Sequence, residues 1–201
     1  MPSIPTVTKA FILACVGTYC LFYLSEELQF GLQFFESSLE LWPLQSGRFQ
    51  PWQMISYAFL HANELHLFFN MLGLWMFGSE LERVWGSKRY IQILVASTLS
   101  AAVVQLAFTY LMHSPSPTVG ASGAIFGLLI SFGMLFPDRI IIPLFPPIPM
   151  KAKYFVAIFG GLELLLGSMQ GRGGGVAHFA HLGGMLGAWA LIRFWRASRR
   201  R

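Results

Sequence analysis

Thr118-Val119-Gly120-Ala121-Ser122-Gly123-Ala124-Ile125-Phe126-Gly127 sets one hydroxyl at the head of an apolar run, with small residues on both sides of it. The run carries no charge as far as Phe136, and Pro137 stops it. A serine among Gly and Ala is ordinarily packing filler, because small residues let membrane helices approach closely. What the rest of the chain places at the depth of Ser122 changes that reading.

The chain has 201 residues, 55% of them hydrophobic and 11% charged, with a mean hydropathy of +0.56. That is one domain's worth of chain, and its composition is a membrane protein's rather than a soluble globule's. The net charge of +5 does not indicate nucleic acid, since the basic residues lie between apolar stretches and not on one face. Cys15 and Cys20 fall in one apolar stretch and point in different directions on a helix, so neither a disulfide nor a metal site is expected. Residues 9–24 lack a basic leader beyond Lys9 and a small-x-small cleavage site, and are expected to stay as a helix.

Hydropathy and punctuation predict an all-α polytopic membrane protein with six transmembrane helices in a single domain, 1–201. The spans cover about 9–24, 64–83, 88–112, 122–136, 151–170 and 176–195. Residues 28–63, rich in aromatics and broken by Pro43 and Pro51, are expected to form an interfacial first loop. Five prolines make 137–149 a loop. Six spans put both termini on one side. Of the 14 lysines and arginines, all but Arg48 and Arg172 fall on that side, which makes it cytoplasmic.

Depth follows from a rise of about 1.5 Å per residue. Measured from the cytoplasmic boundary, Ser122 and His181 both stand at about 22 Å, Asn70 at about 20 Å and His66 at about 26 Å. Polar groups at such depth are costly and face a bundle interior or a wet cavity. Histidine can activate a serine near neutral pH, and the facing strips of Gly123, Gly127, Gly184 and Gly187 allow close approach. Ser122 also opens a helix, where unpaired N–H groups favour negative charge, with Asn70 and His66 as further donors to an oxyanion. The spans hold no aspartate, so a Ser–His dyad is expected rather than a three-residue relay.

These residues resemble the motifs of the rhomboid intramembrane serine proteases, in the six-helix bacterial form. Gly120-Ala121-Ser122-Gly123 is similar to the GxSG motif, Ala180-His181 with Gly184 to AHxxG, and His66 with Asn70 to the HxxxN of the second helix. His61 is similar to a structural loop histidine, and Glu82 to an acidic residue at the cytoplasmic end of the second helix. The resemblance implies Ser122 as nucleophile, His181 as base, and His66, Asn70 and the Ser122 amide as the oxyanion hole. Gly120, Gly123, Phe126, Ala180, Gly184 and His61 would be structural support. It further implies a serine endopeptidase that cleaves single-span membrane proteins near the outer face of the bilayer, in a bacterial inner membrane. Transmembrane protein substrates and lipid would be its partners, with no nucleic acid, cofactor or metal. The alternative is a non-catalytic relative that binds transmembrane segments. Three departures stand out: Trp52-Gln53 where the family often has Trp-Arg, Phe126 where tyrosine is frequent, and Ala188 in place of a glycine. His178 is expected to be structural. Glu163, alone in the fifth span, could face the bundle, reach outward or pair with Arg172.

Overall fold

The structure is a computed structural model, and it describes residues 3–144, 146–169 and 177–198. It is mostly helical: α1 (Thr6–Glu27), α2 (Gln33–Leu39), α3 (Gln53–Ser56), α4 (Glu64–Gly73), α5 (Ser79–Met112), α6 (Ser122–Leu135), α7 (Ala152–Met169) and α8 (His178–Ser198). Among the described residues, three helical stretches are long and apolar enough to cross a membrane, namely Thr6–Glu27, Glu64–Met112 and Ala152–Met169, and α6 is a shorter apolar helix. Arg172, the glycine-rich turn at 171–175 and the arginines at 199–201 lie outside the described residues.

Helix α1 begins after Pro5 without a side-chain cap of its own. A residue far along the chain supplies it. Glu82 accepts from the amides of Val7 (3.0 Å) and Thr8 (2.8 Å), from the Thr8 hydroxyl (2.8 Å) and from Ser87 (2.8 Å). The carboxylate thereby satisfies amides that the first turn of any helix leaves open. Helix α4 is capped by Asn63, whose side chain accepts from the His66 amide, and runs through a π-helical stretch (Leu74–Gly78) into α5. The helix breaks at Gly86, whose φ of 74° and ψ of 160° are non-helical, between the second and third predicted spans.

Two regions expected as loops carry structure. Residues 28–63 hold α2, α3 and two short 3-10 turns (Leu44–Ser46 and Tyr57–Phe59) around a small core of Leu41, Tyr57, Ala58, Ala102 and Leu106. Gln53, where the family resemblance faltered, is its polar hub. Its carbonyl accepts from the Trp42 and Gln50 amides, and its amide donates to the Ser38 and Arg48 carbonyls. The stretch after α6 is not wholly irregular either. β1 (Ile140–Ile141) and β2 (Met150–Lys151) pair antiparallel, so the fold is mostly helical rather than strictly all-α. The pair has a local cause: the Arg139 and Pro137 carbonyls accept from the first amides of α7, those of Ala152 and Lys153.

Helix α6 lies at the centre, against α5, α7 and α8. Its buried face is Gly123, Ala124, Gly127, Leu128, Ser131 and Phe132. The main core gathers Leu74, Leu81, Tyr90, Ile93, Leu128, Phe132, Ala188 and Ile192. Outer helices turn apolar side chains outward, as with Leu13 and Leu21 of α1 and Leu162, Leu165 and Leu166 of α7. An apolar exterior of that kind suits lipid rather than water.

Candidate active site

Ser122 is the first residue of α6, and no side-chain cap closes that helix end. His181 lies in the first turn of α8 and is buried. The two meet in a hydrogen bond, with His181 Nε2 2.7 Å from Ser122 Oγ. Glycines make that approach possible. A Cβ on Gly184 would fall on the backbone of Gly123, and one on Gly123 would lie 3.5 Å from the Ala180 carbonyl. Gly187 and Gly183 face α5 instead, so the glycine strip of α8 serves two neighbours. Phe126, one turn after Ser122, stacks on the His181 ring with centroids 4.3 Å apart and planes 7° from parallel. A tyrosine hydroxyl is not needed for that contact.

On the other side of Ser122 the chain turns at Gly120, whose φ of +124° favours glycine. Its amide donates to the Tyr57 carbonyl at 2.9 Å, and Leu41 and Thr118 exchange backbone hydrogen bonds just before it. A Cβ at Gly120 would lie 2.7 Å from the His66 ring and 3.6 Å from Asn70 Nδ2, so both side chains of α4 converge on this turn. Asn70 is buried, and its Nδ2 has no hydrogen-bond partner among the described residues. A buried donor without a partner is costly, unless something else takes its hydrogen bond. His61 packs edge-on to His66 at 5.1 Å and is itself buried, with no partner for either ring nitrogen among the described residues. Burial, reinforced by the neighbouring His66, lowers its pKa to about 4.

Glu163 is where sequence reasoning stopped, and it faces inward. Its Oε2 lies 2.6 Å from His178 Nδ1 and 2.8 Å from His181 Nδ1. The His178 contact is an aligned hydrogen bond. The His181 contact is close but lies off the N–H direction, and that nitrogen finds no aligned acceptor among the described residues. The strip Gly160, Glu163, Gly167 turns towards α8, since a Cβ on Gly160 would touch Met185 and one on Gly167 would touch His178 and Phe179. Glycines at i−3 and i+4 around a lone acid are the signal that could have found it in the sequence. Glu163, His178 and His181 also bring three possible metal-ligand atoms within 4.8 Å of one another. Their direct contacts of 2.6 and 2.8 Å are shorter than the roughly 3.3 Å between ligands that tetrahedral zinc at about 2.0–2.1 Å would hold apart.

Comparison with known proteins bears on this geometry. A family model described as the Rhomboid domain matches residues 48–197, which contain every residue of the cluster. Rhomboid protein 1, mitochondrial, of Saccharomyces cerevisiae is 32% identical over 154 residues, 74% of this chain and 44% of that protein. Rhomboid protease GluP of Bacillus subtilis is 40% identical over 78 residues, 39% of this chain and 14% of that protein. Rhomboid protease GlpG of Serratia proteamaculans is 28% identical over 160 residues, 79% of this chain and 53% of that protein. The chain thus spans about half the length, or less, of these relatives.

Proposed function

The chain belongs to the rhomboid family of integral membrane proteins, and from that premise we propose that it is a serine endopeptidase that cuts transmembrane proteins by a Ser122–His181 pair. The observation that carries the reading is the 2.7 Å hydrogen bond between Ser122 Oγ and His181 Nε2 inside a bundle with an apolar exterior.

Ser122 Oγ attacks the scissile carbonyl carbon while its proton passes to His181 Nε2, and the carbonyl π pair moves onto oxygen. The oxyanion sits at the open start of α6, where the Ser122 amide, Asn70 Nδ2 and His66 donate to it. The Asn70 amide, without a partner among the described residues, supports this, because an oxyanion is an acceptor it can take. On collapse the C–N bond breaks, and His181 gives its proton to the leaving amine. Water, deprotonated by His181, then releases the acyl group from Ser122. An intact helix hides its carbonyls in i to i−4 hydrogen bonds, so the substrate must unwind locally. We assign six membrane crossings with cytoplasmic termini, which places Ser122 nearer the outer face.

The test is labelling of the detergent-solubilised protein by a fluorophosphonate serine-hydrolase probe, with Ser122→Ala and His181→Ala as controls. Labelling of wild type that is lost in both variants is the expected outcome. A folded wild type that does not label sinks the hydrolase reading and leaves a module that binds transmembrane segments.

A further inference from the structure

The Ser122–His181 pair needs a particular tautomer. For Nε2 to accept the serine proton, the ring's own proton must sit on Nδ1. Phe126 fixes the plane of the ring at 7° but not its sense. A half-turn about the Cβ–Cγ bond would preserve the stack, yet it would present carbon instead of Nε2 to Ser122. Something must hold the Nδ1 edge.

The group at that edge is Glu163 Oε2, 2.8 Å away. Its carboxylate is itself tethered by the His178 Nδ1–H at 2.6 Å. The two imidazoles stand at 90° to each other, with centroids 6.3 Å apart, so each turns an Nδ1 edge to the same oxygen. All three side chains are nearly enclosed, at 13% exposure for Glu163, 11% for His178 and 10% for His181. Electrostatic contacts are strong in such surroundings.

We propose that Glu163 is a positioning residue for His181, completing a Ser122–His181–Glu163 relay in which the acid comes from α7. The proposal rests on the hydrolase reading above. As Ser122 Oγ bonds to the carbonyl carbon, its proton goes to Nε2, and Nδ1 keeps its own proton throughout. Glu163 stays ionised and faces the imidazolium so formed. No proton reaches the carboxylate. The off-line contact in the resting chain tightens once the ring is charged, since catalytic hydrogen bonds are often poorly aligned before substrate binds. His178 holds the carboxylate in place through that same oxygen, which gives this histidine a purpose that packing alone does not.

Three measurements on the full chain test the proposal. The first is the rate of fluorophosphonate labelling, together with kcat and KM on a transmembrane reporter, for wild type, Glu163→Gln and Glu163→Asp. Glu163→Gln keeps the shape and removes the charge, and it is expected to lower kcat and the labelling rate by about 10²-fold. Its KM and melting temperature are expected to stay close to wild type, and Glu163→Asp to recover part of the loss. A Glu163→Gln chain that labels at the wild-type rate, or whose KM rises at constant kcat, overturns the proposal. The second is the nitrogen-15 spectrum of His181 in wild type, which needs neither variant nor turnover. A proton on Nδ1 supports the proposal, and one on Nε2 overturns it. The third is metal analysis of the purified chain, where one zinc per chain lost in Glu163→Gln would reassign the cluster as a metal site. Wild type that neither labels nor cleaves removes the hydrolase reading itself, whereas failure confined to the Glu163 comparison removes only this inference.

Discussion

Gly184→Ala is the perturbation most directly tied to the geometry, because it touches no reacting group. The added Cβ would fall on the Gly123 carbonyl oxygen, 2.7 Å from the carbonyl carbon and 3.1 Å from its Cα. Carbon atoms in ordinary contact sit about 3.5–4.0 Å apart, so α6 and α8 must part by at least about 1 Å. Gly123 is the neighbour of Ser122, and Gly184 is one turn from His181, so the strain falls on the 2.7 Å hydrogen bond itself. A shift of that size lengthens the bond past useful range, and misplacement by about 1 Å can cost about 10²-fold in rate. Overpacking also lowers stability, by about 1–3 kcal/mol, so a control that overpacks another face of α8 is needed. Gly187→Ala provides it. That Cβ would press on α5, 2.5 Å from the Ala96 carbonyl and 2.6 Å from the Ser100 Cβ, and not on α6. Both variants are expected to melt lower than wild type. Fluorophosphonate labelling measured well below either melting point is expected to fall about 10²-fold in Gly184→Ala and to hold within a few-fold in Gly187→Ala. Equal labelling in the two variants, or wild-type labelling in Gly184→Ala, would refute the claim that glycine contact sets the reacting distance.

Glu82→Ala leaves the Val7 and Thr8 amides without their acceptor, and loss of such buried partners costs about 1–3 kcal/mol for each group. Thermal unfolding in detergent is expected to show a loss of about 2–4 kcal/mol, with a smaller loss for Glu82→Gln; a change below about 0.5 kcal/mol would show that α1 caps itself. His61 provides a pH test. Its pKa is held down to about 4 in the folded chain, against about 6.5 unfolded, so the unfolded chain binds the proton first as pH falls. Its contribution to stability is complete above about pH 6.5, is lost progressively towards about pH 4 and levels off below, with a total of roughly 3 kcal/mol as an upper bound. His61→Leu is expected to flatten that part of the stability–pH curve, and a curve parallel to wild type would show that another group carries the slope.

Much of the site was legible along the chain because depth on a helix is linear in residue number. Counting back from Pro137 and from Arg196 brought Ser122 and His181 to one level, and counting from Arg83 did the same for Asn70 and His66. Small residues beside Ser122 and His181 marked the faces that could touch, and Gly184 does lie against Gly123. The break between the second and third predicted spans, at Gly86, was likewise marked by local composition.

What needed the tertiary structure was azimuth, and contact between distant segments. Helix α7 is apolar around most of its circumference, so composition could not say which way Glu163 points. The glycines at 160 and 167 packing on α8 turn it to His178 and His181. Glu82 caps a helix 74 residues away, and Gln53 ties together a segment that reads only as aromatic and broken. Ile140 pairs with Lys151 across four prolines because α7's first amides take their acceptors from Pro137 and Arg139. The common reason is that a buried polar group must find a partner wherever the packed helices bring one. Rise along a helix is set by the backbone alone, and so is written in the sequence. Rotation about its axis is set by the neighbours, and so is decided only when they pack.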